Sequence, residues 1–372
     1  MSKINSAESV RGLACLAVVF SHLSLTFYPY LHRDNQSGLP NYDFLYYLHH
    51  SPFAFIYAGH AAVYVFFVLS GFVLAYATLN KKENAQKKIL SMTIKRYPRL
   101  AIPAICSVLI YWLVFHFEMN TSNASVWSAN IGSYMGSIFD ALFDGSIRAF
   151  AFGKSNYNWV LWTMQTEFIG SLVVFIFAYF YLKNRAIAIF WLPISIVASA
   201  FFISLGFSFG IACFAIGVLF YLYGRKINFI TGLIMLFIGL YLAGIHNTSF
   251  SYQWIHNILG DKSYNLISIV SAPLIVYSIL MNEKISEILD RKFLVFLGKL
   301  SFSIYLLHFL VIYIIALPLY NFLLPNLDFL MSSIIACIST IIVTFLISIP
   351  FSNNVDDLSI KVGKKIENTV MR

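Results

Sequence analysis

Charge is what this sequence has least of. Only 11% of its 372 residues are Asp, Glu, Lys or Arg, against about 25% in a soluble globular domain. That supply cannot coat a water-facing surface, which excludes a freely soluble enzyme. Cysteine is also scarce: Cys15, Cys106, Cys213 and Cys337 all lie in apolar runs, and no pair has metal-ligand spacing. A disulfide scaffold is thereby excluded, and four free buried thiols with no metal centre are expected. Nor is there a small-residue cleavage site after the first apolar run, an internal repeat, or a polar stretch large enough for a separate hydrolase or transferase domain. The first of these absences predicts that the N-terminal run stays as a span. The second speaks against an inverted-repeat transporter.

What is there is apolar: 59% hydrophobic and 17% aromatic. The apolar runs are long enough to cross about 30 Å of hydrocarbon, which takes roughly 20 helical residues. Ten spans are predicted, over 9–31, 54–79, 99–117, 158–182, 187–203, 207–223, 228–245, 264–282, 300–320 and 327–350. The expected fold is an all-α polytopic membrane bundle over 1–352, followed by a short charged tail over 353–372. Alternate loops hold twenty-one of the 25 Lys and Arg residues, from Lys3 through Lys81, Lys82 and Arg99 to Arg372, and the other set holds Arg33, Arg148, Lys154 and Lys262. By the positive-inside rule both termini are then cytoplasmic, as in a multi-pass inner (cytoplasmic) membrane protein. This bias and anionic lipid account for the net charge of +9, so nucleic acid need not be invoked. The longest outer segments are 118–157, rich in Asn, Ser and Gly, and 32–53, which carries His49 and His50.

Polar residues inside the apolar runs are costly and so point to function. Arg11 opens the first span and His22 sits near its middle, eleven positions on. On a helix they are about 16 Å apart along the axis and about 20° apart around it. Glu8 is one turn before Arg11 and can pair with it, and Gly12 admits a close backbone. A neutral imidazole at His22 can accept a proton from a hydroxyl. The plainer reading makes Arg11 a topology anchor and His22 a helix-packing group. Ser70-Gly71 is a small-residue step in a bulky helix; it permits tight packing and presents one hydroxyl. Lys95-Arg96-Tyr97-Pro98-Arg99 precedes the third span. Pro98 suits a first helical turn, which would put Arg99 at a helix N-terminus. Arginine forks with exposed amides there would make a phosphate site; an ordinary basic flank is the alternative. Glu167, following Trp159 and Trp162, is the one carboxylate placed well inside a span. It must find a partner or a proton: it could orient His22, pair with an arginine or hold a substrate hydroxyl. Ser301, Tyr305 and His308 share one helix face, which must look into the bundle or a wet cavity.

Taken in order, these stretches resemble the acyltransferase-3 family of integral membrane acyltransferases. The resemblance rests on Arg11 and His22, Phe66 to Phe72, Arg96 and Arg99, Trp162 to Glu167, and Ser301 to His308. It implies transfer of an acyl group, usually acetyl from cytoplasmic acetyl-CoA, to a hydroxyl. The acceptor is usually a surface polysaccharide such as lipopolysaccharide, or its lipid-linked sugar precursor. By the same resemblance His22 is the catalytic histidine and Arg11 its companion, Arg96 and Arg99 bind the acyl-CoA, and Glu167 and His308 are polar core positions, alongside Glu8, Ser70 and Tyr305. Tyr64 departs from the pattern, since many members carry an acid there. A second class stays open. The same bundle could be a proton-coupled transporter or translocase of a glycan or small molecule, with His22, Glu167 and His308 as its relay.

Overall fold

The computed structural model describes residues 2–32, 39–80 and 84–371, with side chains from residue 4 onward. Arg33, Lys81, Lys82 and Arg372 of the charge balance lie outside the described residues, as does the side chain of Lys3. Every regular element among the described residues is helical. The main ones are α1 (Ser2–Phe27), α2 (Gly59–Leu79), α3 (Ala85–Phe115), α4 (Met164–Lys183), α5 (Arg185–Phe202), α6 (Leu205–Tyr223), α7 (Phe229–Ala243), α8 (Ser263–Leu280), α9 (Lys292–Val311), α10 (Phe329–Phe351) and α11 (Asp357–Val370). Nine helices among the described residues are long and apolar enough to cross a membrane. The tenth expected span, 228–245, is α7, only 15 residues long. At 1.5 Å per residue that is about 22 Å, short of the hydrocarbon thickness.

Short polar turns punctuate the hairpins. Asn184, Ser204, Asn228 and Asp328 each accept a backbone N–H of the helix that follows, opening α5, α6, α7 and α10. This is ordinary N-capping, and it satisfies amides that lipid could not. The outer helices present large apolar side chains: Phe201 and Phe202 on α5 are 85% and 82% exposed. In water this would be an aggregation surface; in lipid it is the expected one.

Two close helix contacts set the core. Gly71 of α2 lies against the backbone of α6, where an added Cβ would be 2.1 Å from the Phe214 carbonyl oxygen. Gly298 of α9 lies against α1, where a Cβ would be 2.0 Å from the Glu8 carbonyl oxygen; Gly12 faces it from the other side. Both are small-residue crossings, as expected where helices pack without a hydrophobic drive. The α1–α9 pair is parallel and keeps one register: Gly12 meets Gly298, the Cys15 thiol donates to the Ser301 carbonyl, and His22 meets His308.

Four expectations are corrected. Arg99 is not at a helix N-terminus, because α3 begins fourteen residues earlier at Ala85 and carries Pro98 and Pro103 inside it. Each proline removes a ladder donor, and the helix continues because neighbours pack on both sides of it. Second, part of the outer segment 118–157 folds back along α3. Trp112 donates to the Gly136 carbonyl (2.9 Å), Gly145 abuts Ile105, and Tyr97 donates to the Ser146 carbonyl (2.8 Å). Third, Glu167 is not alone: Asp144 in that returning segment is fully buried. It is paired to Arg148 (2.8 Å), with Ser155 and the Asn156 amide as further donors. Fourth, His22 lies not midway but five residues from the end of α1. The helix stops at Phe27, ahead of Pro29, which disfavours helical backbone in the residue before it.

Candidate active site

The site is built around one hydrogen bond. His22 Nδ1 and His308 Nε2 are 2.7 Å apart, and the two rings lie edge to edge and nearly coplanar, 11° between planes, with centroids 5.0 Å apart. The tautomers follow from the remaining partner. His308 Nδ1 is 3.0 Å from the Ile304 carbonyl oxygen, which can only accept, so that nitrogen carries the hydrogen. In a neutral His308 the Nε2 is then an acceptor, and His22 must donate from Nδ1. The lone pair of His22 is thereby placed on Nε2, away from His308. A fixed tautomer with a free basic nitrogen is what a general base or a nucleophile needs.

The surroundings of this nitrogen are aromatic. Trp127 and Phe309 lie 5.5 and 5.8 Å from the His22 ring, and Trp159 packs on Phe309. His22 as a residue is half-buried, and His308 beneath it is fully buried. Beneath it, the Tyr305 hydroxyl donates to the Val160 carbonyl (2.7 Å) and lies 3.0 Å from the Thr163 hydroxyl. Asn158 bridges from the Ser107 hydroxyl to the Leu306 carbonyl, at 3.2 and 3.0 Å.

A second polar group lies toward the end of the bundle that carries Arg11. The Arg96 guanidinium donates to Glu167 (2.5 Å), and the Ser70 hydroxyl donates to the same carboxylate (2.9 Å). Of the three roles open to Glu167, pairing with an arginine is the one observed. It does not touch His22. Arg11 pairs with Glu8 at 3.2 Å, and its charge and that of Arg99 act on Arg96. Between Trp159, level with the histidines, and Glu167 the chain descends eight residues, first as a 3₁₀ turn and then as α-helix, about 14 Å in all. The sequence-predicted residues therefore form two groups. His22, His308 and Tyr305 make the upper one, with Ser70, Glu167, Arg96, Arg99, Arg11 and Glu8 below.

Residues 4–349 match the family model described as an acyltransferase domain. The chain belongs to the acyltransferase-3 family. Among curated proteins it is similar to the O-acetyltransferase PaAT-1 of Phomopsis amygdali, 24% identical over 226 residues. That match covers 53% of this chain and 44% of the relative, so the chain spans under half the length of the curated protein it matches. No solved structure matches.

Sequence reasoning missed three contributors. Trp127 comes from the polar segment 118–157, where its isolation among Asn and Ser residues was the only signal. Asn158 immediately precedes the Trp159 motif, and nothing in its spacing tied it to Leu306. At the end of the bundle away from Arg11, His32, His49 and His246 gather: the His32 and His246 rings are 5.8 Å apart, and those of His49 and His246 5.4 Å. Burial first, then the neighbouring imidazoles, pushes His32 down to about 3 and His246 to about 4. They sit beside a cavity of about 440 Å³. The Ser24 hydroxyl that bonds His32 at 2.7 Å projects from the side of α1 away from His22, so the cluster shares no hydrogen bond with the histidine pair, although His32 acts on His22 through space.

Proposed function

We propose that this acyltransferase moves an acetyl group from cytoplasmic acetyl-CoA to a hydroxyl of a surface polysaccharide or its lipid-linked sugar precursor. The reading takes the end with Arg11 and Arg96 as cytoplasmic, as the basic-residue bias favours, in an inner membrane of bacterial type. Two cytoplasmic termini need an even number of crossings, which requires the short helix α7 to cross by thinning the bilayer locally. The observation that carries the reading is the His22–His308 bond, which frees His22 Nε2 about 14 Å above the Arg96–Glu167 pair.

Arg96 and Arg99 hold the phosphates of the donor, and the thin pantetheine arm rises past Tyr305 toward His22. The acceptor arrives from the other side. Its hydroxyl gives a proton to His22 Nε2 as its oxygen forms a bond to the thioester carbonyl carbon. The C–S bond breaks, and the departing thiolate takes the proton back from the imidazolium. His308 Nε2 holds the Nδ1–H throughout, as the orienting member of a triad does. The same lone pair serves if the acetyl group rests briefly on His22. Arg11 keeps its charge near Arg96 and the donor. Glu167 offsets the buried arginine and, through Ser70, fixes α2 against α4. The name of the Phomopsis amygdali relative supports acetyl as the acyl group.

Membranes holding the intact chain, given radiolabelled acetyl-CoA and lipid-linked glycan, are expected to label the glycan, and His22→Ala at equal membrane level is expected to abolish labelling. Undiminished labelling in that variant would remove His22 from the reaction. Proton-coupled flux without acetyl-CoA would favour a transporter instead.

A further inference from the structure

The C-terminal helix α11 (Asp357–Val370) lies beyond the family match, which ends at residue 349. Its sequence reads as a charged tail, yet it does not leave the bundle. A wide, π-helical turn over Ser352–Asp356 joins it to α10, and the helix runs back under α3. Lys95 of α3 pairs with Glu367 at 3.0 Å. Gly363 sits where a Cβ would be 3.3 Å from the Lys95 side chain. On a helix, Ser359, Gly363 and Glu367 recur every four residues, so one face of α11 is turned to α3.

Between the two helices is a cavity of about 260 Å³. Lys95, Arg96 and Arg99 of α3 line it on one side, and Ser359, Gly363 and Lys364 of α11 on the other. Four cations meet there, and the carboxylates in ion-pair contact with them are Glu167 on Arg96 and Glu367 on Lys95. Asp356 acts on Arg99 and Glu367 on Lys364 through space, but among the described residues no carboxylate is in ion-pair contact with either cation. Arg96 Nε is buried and has no hydrogen-bond partner. A cavity with surplus positive charge, a spare guanidinium donor and a glycine notch is suited to a phosphate group.

We propose that α11 is a working wall of the donor site, with Lys364 closing Arg96 and Arg99 over a phosphate of the nucleotide half of acyl-CoA. This rests on the donor reading given above. The chemistry recognised is a phosphate mono- or diester, which a free nucleotide and an anionic lipid headgroup share; the nucleotide is favoured because the cavity includes Arg96, whose other partner, Glu167, leads into the bundle.

The test uses the full chain in nanodiscs of zwitterionic lipid and measures binding of CoA and of S-acetylpantetheine, which lacks the nucleotide. Lys364→Gln is expected to weaken CoA binding about tenfold, as loss of one charge-assisted contact does, and to leave S-acetylpantetheine unaffected. Lys364→Arg is expected to bind CoA as the parent does, and Gly363→Leu, which fills the notch, to weaken it. If Lys364→Gln and Gly363→Leu bind CoA normally while Arg99→Gln does not, α11 is not part of the site and the donor reading stands. If the parent chain binds no CoA, the donor reading itself falls. If Lys364→Gln changes only the melting temperature in phosphatidylglycerol nanodiscs, the cavity is a lipid headgroup site and the proposal is overturned.

Discussion

Replacing His308 tests the tautomer directly. Its Nε2 accepts the His22 Nδ1 hydrogen at 2.7 Å, and its own Nδ1 is committed to the Ile304 carbonyl. His308→Phe keeps a flat ring of similar size but offers no acceptor. His22 then has a buried N–H without a partner, which costs about 1–3 kcal/mol, and the other tautomer becomes competitive. In that tautomer Nε2 carries the hydrogen and cannot take one from a hydroxyl. A loss of about 10²- to 10⁴-fold in the transfer rate follows, the upper figure being what a wrong tautomer costs in a serine protease triad. His308→Gln is the companion variant. Its amide oxygen can accept from Nδ1, so it retains the tautomer with looser positioning, and a loss of about tenfold is expected. The assay is initial-rate transfer of labelled acetyl from acetyl-CoA to glycan in membranes, normalised to folded protein. Equal activity in the Phe and Gln variants, both folded, would refute the assignment, because hydrogen-bond acceptance at residue 308 would then not matter.

Gly298→Ala places a methyl where the Glu8 carbonyl oxygen lies at 2.0 Å. Ordinary contact requires the helices to part by more than 1 Å, and a misplacement of that size costs about 10²-fold; a folded variant with parental rate would break the link between crossing and site. Glu167→Ala leaves Arg96 buried and unpaired. It is expected to lower unfolding stability by about 2–4 kcal/mol, read from melting in detergent, with most of the loss restored in the Arg96→Gln, Glu167→Gln double variant. His32 and His246 are neutral in the fold down to about 3 and 4, whereas free histidine titrates near 6.5. The unfolded chain therefore binds more protons over that interval, so stability is full above about pH 6.5 and declines as pH falls toward 4. Melting curves at pH 7 and pH 5 should differ, and His32→Asn should reduce the difference; identical curves for the parent would contradict the buried-neutral assignment.

The bundle was legible because lipid imposes a simple code: apolar runs of sufficient length, and Asn, Ser or Asp at the turns. His22 and His308 were legible for a related reason, since a polar group in such a run must be answered. Their pairing was not, because helical periodicity says which face a residue occupies and nothing about which helix faces it. The same limit separated Glu167 from Arg96. Pro98 misled the reading of α3: a proline marks a helix start only where no earlier turn is held by packing, and the contact with α11 holds residues 85–97. Asp144 was hidden because its segment is polar and reads as a loop, while its burial comes from folding back against Ile105.

The constant register between α1 and α9 has a consequence for biosynthesis. The two histidines are 286 positions apart in the chain. At a ribosomal rate of about 5–20 residues per second, the first spends roughly 15–60 s in the bilayer before the second has been made. Through that interval His22 lacks the His308 acceptor that fixes its tautomer. The pairing forms only when the eighth long helix, α9, packs beside the first and the two glycines meet.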